Sequence, residues 1–143
     1  MLLFADDLKI YRRILSLTDC HLLQSDLDSI VEWAKVNNMS FNLSKSTVLH
    51  IGQKNDNFIY HLGNNPISSQ DKVKDLGIII DHKLKFHTQS ASAAKKAISS
   101  ANFIFKSFNY LNNKTFSTLY KVFVRPNLEY CIQVWRPHFK KIH

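Results

Sequence analysis

The chain has 143 residues, 45% apolar and 21% charged, with three glycines and three prolines. That is one domain's worth of sequence, able to bury roughly 68–70% of its unfolded surface, and it excludes a disordered or low-complexity segment. The net charge of +8 is lopsided: residues 1–81 hold ten acids against eight Lys and Arg, whereas residues 82–143 hold Glu129 alone against eleven. Such an excess is either a footprint for a polyanion, nucleic acid being the commonest, or a solvated basic helix surface.

Met1-Leu2-Leu3-Phe4 reads as a strand buried on both faces, and from Leu8 the apolar residues Leu8, Ile10 and Ile14 alternate with polar ones as a second strand. Ala5-Asp6-Asp7 between them is the tip of a hairpin. Thr18 and Asp19 are N-cap residues for a helix running to about Asn37, whose inward face is Leu23, Leu27, Ile30, Val31 and Ala34, with Gln24, Asp28 and Lys35 outward. Strands follow at Phe41 to Ile51 and Phe58 to Leu62, separated by the polar run Gln53 to Asn57, and Asn64-Asn65-Pro66 makes a turn. Val73 to Ile80 is the most β-like segment, with Gly77 marking a bulge or a close backbone approach.

After Asp81 the period changes. Ala94, Ile98, Ala101, Phe105 and Phe108 step by three and four along one face of a helix from about Thr88 to Tyr110. A second helix, Thr115 to Arg125, turns Phe116, Leu119, Tyr120 and Phe123 inward, and Pro126 opens a third. The organisation is α+β: a strand-rich part, 1–81, with a helix packed on it, then a basic helical bundle, 82–143.

Several functions are excluded or disfavoured. The N-terminus has no basic n-region or apolar h-region, and no run of about 20 apolar residues crosses a membrane, so the expected location is intracellular, nuclear or cytoplasmic, not secreted and with no membrane partner. The glycosylation-type triplets at Asn38, Asn42 and Asn113 then mean little. Cys20 and Cys131 follow no metal or redox spacing, which fits a reducing compartment. His82 and His87 lack a third ligand at a sensible interval and read as loop and helix-start residues.

The paired acids carry the most chemistry. Adjacent carboxylates at a turn serve solvation as readily as metal binding, but on a hairpin tip backed by an apolar strand they are held close together, an arrangement that a hard divalent ion neutralises. Two-metal phosphoryl transfer uses such acids but needs more carboxylate than one tip provides.

Phe4-Ala5-Asp6-Asp7 resembles the aromatic-Ala-Asp-Asp box of reverse transcriptases, and the rest of the chain is similar, in order and spacing, to the non-LTR (LINE-like) retrotransposon branch. Trp33 with Asn37 to Ser46 resembles that family's segment in which a Trp precedes an Asn-x-x-Lys-Ser/Thr turn into a strand. Val73 to Ile78 through Leu84, Phe86 and His87 resembles the Leu-Gly hairpin at its primer grip. Leu119-Tyr120, Val124 to Tyr130 and Val134-Trp135-Arg136-Pro137 resemble the end of its thumb. Together these cover about residues 1–137.

The resemblance implies a truncated right-hand polymerase palm, antiparallel strands with a packed helix, followed by a helical thumb. It implies Mg²⁺-dependent nucleotidyl transfer from deoxynucleoside triphosphates onto a DNA primer paired with an RNA template. Asp6 and Asp7 would be catalytic and metal-binding, Asp6 ahead of Asp7 as direct ligand. Lys45 would neutralise departing pyrophosphate; without the resemblance it is a surface lysine in an Asn/Ser-rich turn. Gly77 would let the backbone approach the primer end. The fingers and the upstream palm strand with the first catalytic Asp are not among these 143 residues, and Asp19, Asp26, Asp28 and Asp81 are not placed to substitute, so the chain alone is expected to be inactive and its palm sheet to expose an apolar edge.

The helical part has its own signal. Lys114, Lys121 and Arg125, at spacings of seven and four, make a basic stripe opposite Phe116, Leu119 and Phe123, while Lys95 and Lys106 with Asn102 give the preceding helix a similar face. The alternative to a polymerase is a non-catalytic nucleic-acid-binding module derived from a retroelement, and a decayed reading frame is a third possibility.

Overall fold

A computed structural model describes residues 2–4, 6–52, 55–108 and 110–136. Met1, Ala5 of the acidic box, Gln53 and Lys54 of the polar run, Asn109 and Pro137 lie outside the described residues. The chain is mixed α and β and divides into two compact units, Met1–Asp71 and Lys72–His143. The composition change at residue 82 therefore falls inside the second unit.

The first unit opens with an antiparallel hairpin of β1 (Leu2–Phe4) and β2 (Asp7–Lys9), with Phe4 opposite Asp7. Leu2 and Phe4 are more than half exposed, so the apolar run is not a strand buried on both faces; a two-stranded ribbon has too few neighbours to cover it. The second strand ends at Lys9, short of the alternation expected to Ile14.

Helix α1 (Leu17–Val36) starts earlier than expected, with Ser16 as N-cap. Asp19 supports that cap from within: its carboxylate accepts from Leu15 N (3.0 Å), Ser16 N (2.9 Å) and Ser16 Oγ (3.0 Å). The amide of Leu15, with the Ser16 hydroxyl and amide, holds that carboxyl below its ordinary range. The inward face is as expected, with Ala34 buried and Leu23, Leu27, Ile30 and Val31 half-buried. Gln24 is the exception. Its side chain accepts from His61 N (2.8 Å) and donates to His61 O (3.0 Å), fastening α1 to β4 (His61–Leu62) like one more strand.

Residues 41–46 do not form a strand. Asn42 Oδ1 accepts from Ser44 N (3.1 Å) and Ser44 Oγ (2.7 Å), and Asn42 O accepts from Lys45 N and Ser46 N (both 3.1 Å). Such local bonds compete with a ladder. Only β3 (Thr47–Val48) follows, and it pairs in parallel with β6 (Ser68–Ser69), against the expectation of antiparallel strands throughout. β4 pairs with β5 (Asn65–Pro66) through a turn at Gly63-Asn64, one residue earlier than expected, with Gly63 at φ +62°. Cys20, Ala34 and Tyr60 are the buried residues here, and Phe58 packs against His21 and Tyr60 at 5.3 and 5.1 Å between centroids.

The second unit begins with β7 (Lys72–Asp75) and β8 (Ile78–Asp81), antiparallel, so Val73 to Ile80 is a hairpin and not one strand. Its turn residues Leu76 (φ +44°) and Gly77 (φ +85°) are both left-handed, as a two-residue turn matched to strand twist requires. Helix α2 (His87–Ser107) buries Gln89, Ala93, Ala97 and Ile104. That face is one residue out of step with the expected one: Ala94, Ile98, Phe105 and Phe108 are exposed. The alanines allow close packing, and the buried Gln89 accepts from Ile79 N (2.9 Å), joining α2 to β8.

The expected helix over 115–125 is interrupted. α3 (Asn113–Leu119) is capped by Asn112, whose Oδ1 accepts from Thr115 N (2.8 Å), and passes into a π turn at Tyr120–Val124 before α4 (Arg125–Glu129) and α5 (Ile132–Trp135). Pro126 supplies the cause: it has no N–H for the ladder and its ring would strike the carbonyl of Val122 four residues back, so the turn widens. The wider turn buries Val124 and leaves Tyr120 and Phe123 exposed. Two buried clusters result, Ile78, Ala93 and Trp135, and Ala97, Ile104 and Val124.

Candidate functional site

The acidic hairpin places Asp6 in the turn and Asp7 at the head of β2, both exposed. Two carboxylates are the hard oxygen donors that Mg²⁺ takes, but no group of three or more His, Cys, Asp or Glu gathers among the described residues. Among the described residues, the two carboxylates of the hairpin do not by themselves make a closed metal site. The other acids considered above have structural partners: Asp19 the start of α1, Asp26 Arg12 at 2.8 Å, Asp28 Gln24 at 2.9 Å, and Asp81 a turn described below.

Lys45 is exposed in the Asn42–Ser46 turn that leads into β3, the turn-then-strand order of the segment after Trp33. No hydrogen bond or ion pair joins it to Asp6 or Asp7.

Gly77 has a close neighbour. A Cβ there would lie 3.3 Å from Tyr130 Cε1, and the Tyr130 hydroxyl donates to Leu76 O at 2.9 Å. Trp135 Nε1 in turn donates to Tyr130 O at 2.9 Å, and Trp135 is buried against the hairpin residue Ile78. The space that glycine leaves at the hairpin tip is thus filled by Tyr130. The sequence reading missed Tyr130; the signal was a Leu-Gly turn whose left-handed glycine leaves its flank open.

Asp81 likewise has a role that local sequence does not signal. Only 8% exposed, it accepts from Lys83 N (2.9 Å) and Lys85 N (3.2 Å) on Oδ1 and from Phe86 N (2.9 Å) on Oδ2. Burial alone would raise its pKa, but the three amides and the neighbouring His82 override it and hold the carboxyl below its ordinary range. This carboxylate joins β8 to the start of α2.

Lys95 and Lys106 on α2, Lys114 on α3, Lys121 in the π turn and Arg125 are all exposed, as is Lys96. Arg125 donates from Nε to Glu129 at 2.6 Å, which raises its pKa further. The π turn, which contains Lys121, interrupts the α-helical spacing between Lys114 and Arg125. The lysines still stand in a region whose single acid is already paired.

Against known proteins, the chain is 30% identical over 150 aligned residues to the RNA-directed DNA polymerase from mobile element jockey of Drosophila funebris, an alignment covering 97% of this chain and 16% of that protein. It is 31% identical over 72 residues to an uncharacterized protein, B0403.1, of Caenorhabditis elegans, covering 50% of this chain and 36% of that one. The chain thus spans well under two thirds of either relative. No family model and no solved structure matches it. The chain is distantly related to a retrotransposon RNA-directed DNA polymerase.

Proposed function

We propose that this chain is the end of the palm and the thumb of a LINE-like reverse transcriptase, working as part of an RNA-directed DNA polymerase. The observation that carries the reading is similarity to the jockey polymerase along 97% of the chain, with Asp6 and Asp7 on a tight hairpin. In the complete enzyme these carboxylates would contribute to holding Mg²⁺, which polarises the phosphoryl group under attack. Lys45 would steady the charge on departing pyrophosphate, and the Leu76-Gly77 turn, with Tyr130 behind it, would meet the primer end. The basic helices would grip the backbone of the paired template and primer.

A primer-extension assay on an RNA template tests this. The chain alone should extend nothing, because two carboxylates do not complete the shell. Joined to the remainder of a related polymerase it should polymerise, Asp6→Asn should abolish turnover, and Lys45→Ala should keep primer binding while slowing incorporation. Full activity of the joined Asp6→Asn protein defeats the catalytic assignment. The +10 balance of residues 82–143 favours one second reading, a non-catalytic nucleic-acid-binding module. Salt-sensitive binding without any rescue of polymerisation would select it.

A further inference from the structure

We infer that Tyr130 is a positioning residue for primer extension, its side chain fixing the direction in which the Leu76-Gly77 turn meets the primer end. This rests on the reading above, in which that turn contacts the primer, and adds the residue that orients it. The turn does not need Tyr130 to form. Leu76 and Gly77 are both left-handed, and the Asp75–Ile78 pair closes the strands on either side of them, which completes a two-residue hairpin. Among the described residues β7 and β8 have no third strand beside them. A ribbon of two strands is free to twist and bend at its tip.

Tyr130 removes that freedom from outside the ribbon. Its hydroxyl donates to Leu76 O at 2.9 Å, and its ring fills the flank of Gly77, 3.3 Å from where a Cβ would stand. The tyrosine is itself pinned at its backbone: Tyr130 N donates to Pro126 O at 3.0 Å, and Tyr130 O accepts from Trp135 Nε1 at 2.9 Å. Trp135 is buried with Ile78, the first residue of β8. Contacts thus run from Ile78 through Trp135 and Tyr130 back to the turn. Tyr130 is 54% and Leu76 46% exposed, so the bond that closes this circuit adds modestly to stability. Its larger effect is on orientation. A primer end requires that, because its terminal hydroxyl must stand in line to attack the α-phosphorus of the incoming nucleotide as pyrophosphate leaves, and small misplacements cost rate steeply.

The test uses the chain joined to the remainder of a related polymerase, an RNA template annealed to a labelled DNA primer, and Tyr130→Phe, which keeps the ring against Gly77 and removes only the donor. Single-nucleotide incorporation at saturating triphosphate should slow by roughly 2- to 12-fold, the ceiling that one hydrogen bond sets, with primer affinity and the amplitude of the first turnover unchanged. Tyr130→Ala, which also vacates the flank of Gly77, should slow it further. In the chain by itself, Tyr130→Phe should raise deuterium uptake over residues 75–78 while Trp135 emission, isolated by Trp33→Phe, stays at the parental value. Unchanged uptake overturns the inference. So does a lower amplitude at the parental rate, the mark of a purely structural role, or a primer affinity reduced as much as the rate, the mark of a binding contact. If the joined parent extends the primer and Asp6→Asn stops it, yet Tyr130→Phe keeps the parental rate, the inference alone falls. A joined parent that is inactive, or indifferent to Asp6→Asn, defeats the reading and the inference together.

Discussion

Replacing Asp81 tests how the hairpin is joined to α2. The turn it closes holds Leu84 at φ +54° and Phe86 at φ +55°, left-handed conformations that cost non-glycine residues about 1 kcal/mol or more each. Three amide bonds to a buried carboxylate offset that cost. In Asp81→Asn only one side-chain oxygen remains, so whichever way the amide lies its NH₂ faces a backbone N–H that it cannot satisfy. Loss of one bond to a charged acceptor costs about 1.5–3 kcal/mol. At about 4–8 °C per kcal/mol for a unit of this size, a loss of about 2 kcal/mol lowers the midpoint by about 8–16 °C. Asp81→Ala leaves all three amides without this acceptor and should cost about 3–5 kcal/mol.

Calorimetry or circular dichroism of both variants against the parent measures this. The pH dependence supplies a sign. The carboxyl's folded pKa lies below its unfolded value of about 3.9, so its stabilisation is present above about pH 4 and is lost as the pH falls through the folded value. The deficit of Asp81→Asn should therefore shrink in acid. Midpoints of both variants within about 2 °C of the parent, or a deficit as large below pH 4 as at neutrality, would refute the reasoning.

Four further outcomes are expected. Gly77→Ala should destabilise the second unit by about 1–2 kcal/mol, from the left-handed backbone and the 3.3 Å approach to Tyr130, and pairing it with Tyr130→Ala should recover the steric part alone in a urea double-mutant cycle. Gln24→Ala removes both hydrogen bonds to the His61 backbone and should lower the urea midpoint of the first unit by the equivalent of about 2 kcal/mol. Burial, reinforced by the Cys20 side chain, pushes Tyr60 up to about 12, so in a spectrophotometric titration Tyr60→Phe should remove a tyrosine that ionises well above pH 10. Lys106, Lys114 and Lys121 changed together to Ala should reduce the duplex salt slope by about 2.7, equally for all sequences.

Local pattern made much of this fold legible. The face of α1 follows from spacing alone, and the hairpin bearing Asp6 and Asp7 from two apolar segments around an acidic tip. Failures came where a distant residue decided. Gln24 counts as outward on a helical projection until His61, 37 positions on, offers it a free amide and carbonyl. In α2 both alanine rows satisfy the same period, and nothing local says that the row ending in Ile104, not the one rich in phenylalanine, packs inward. Asn42 draws the four residues after it into a local turn where a strand is expected, which its turn chemistry signals. Pro126 does open a helix, α4, as its type and place indicate, but its effect reaches back over the four residues before it, into the π turn. For the candidate site, the paired acids, Lys45 and the lysines stood out by type, whereas Tyr130 depends on a partner 54 residues away.

That separation also bears on how the protein is made. The Leu76-Gly77 turn leaves the ribosome long before the ring that rests on it. At about 5–20 residues per second the interval is roughly 3–11 s, far longer than the microseconds in which a hairpin forms and reopens. Through that interval the tip has neither the Tyr130 hydroxyl nor the Trp135 indole to steady it. The hairpin is thus among the first parts of its unit to be synthesised and among the last to be locked.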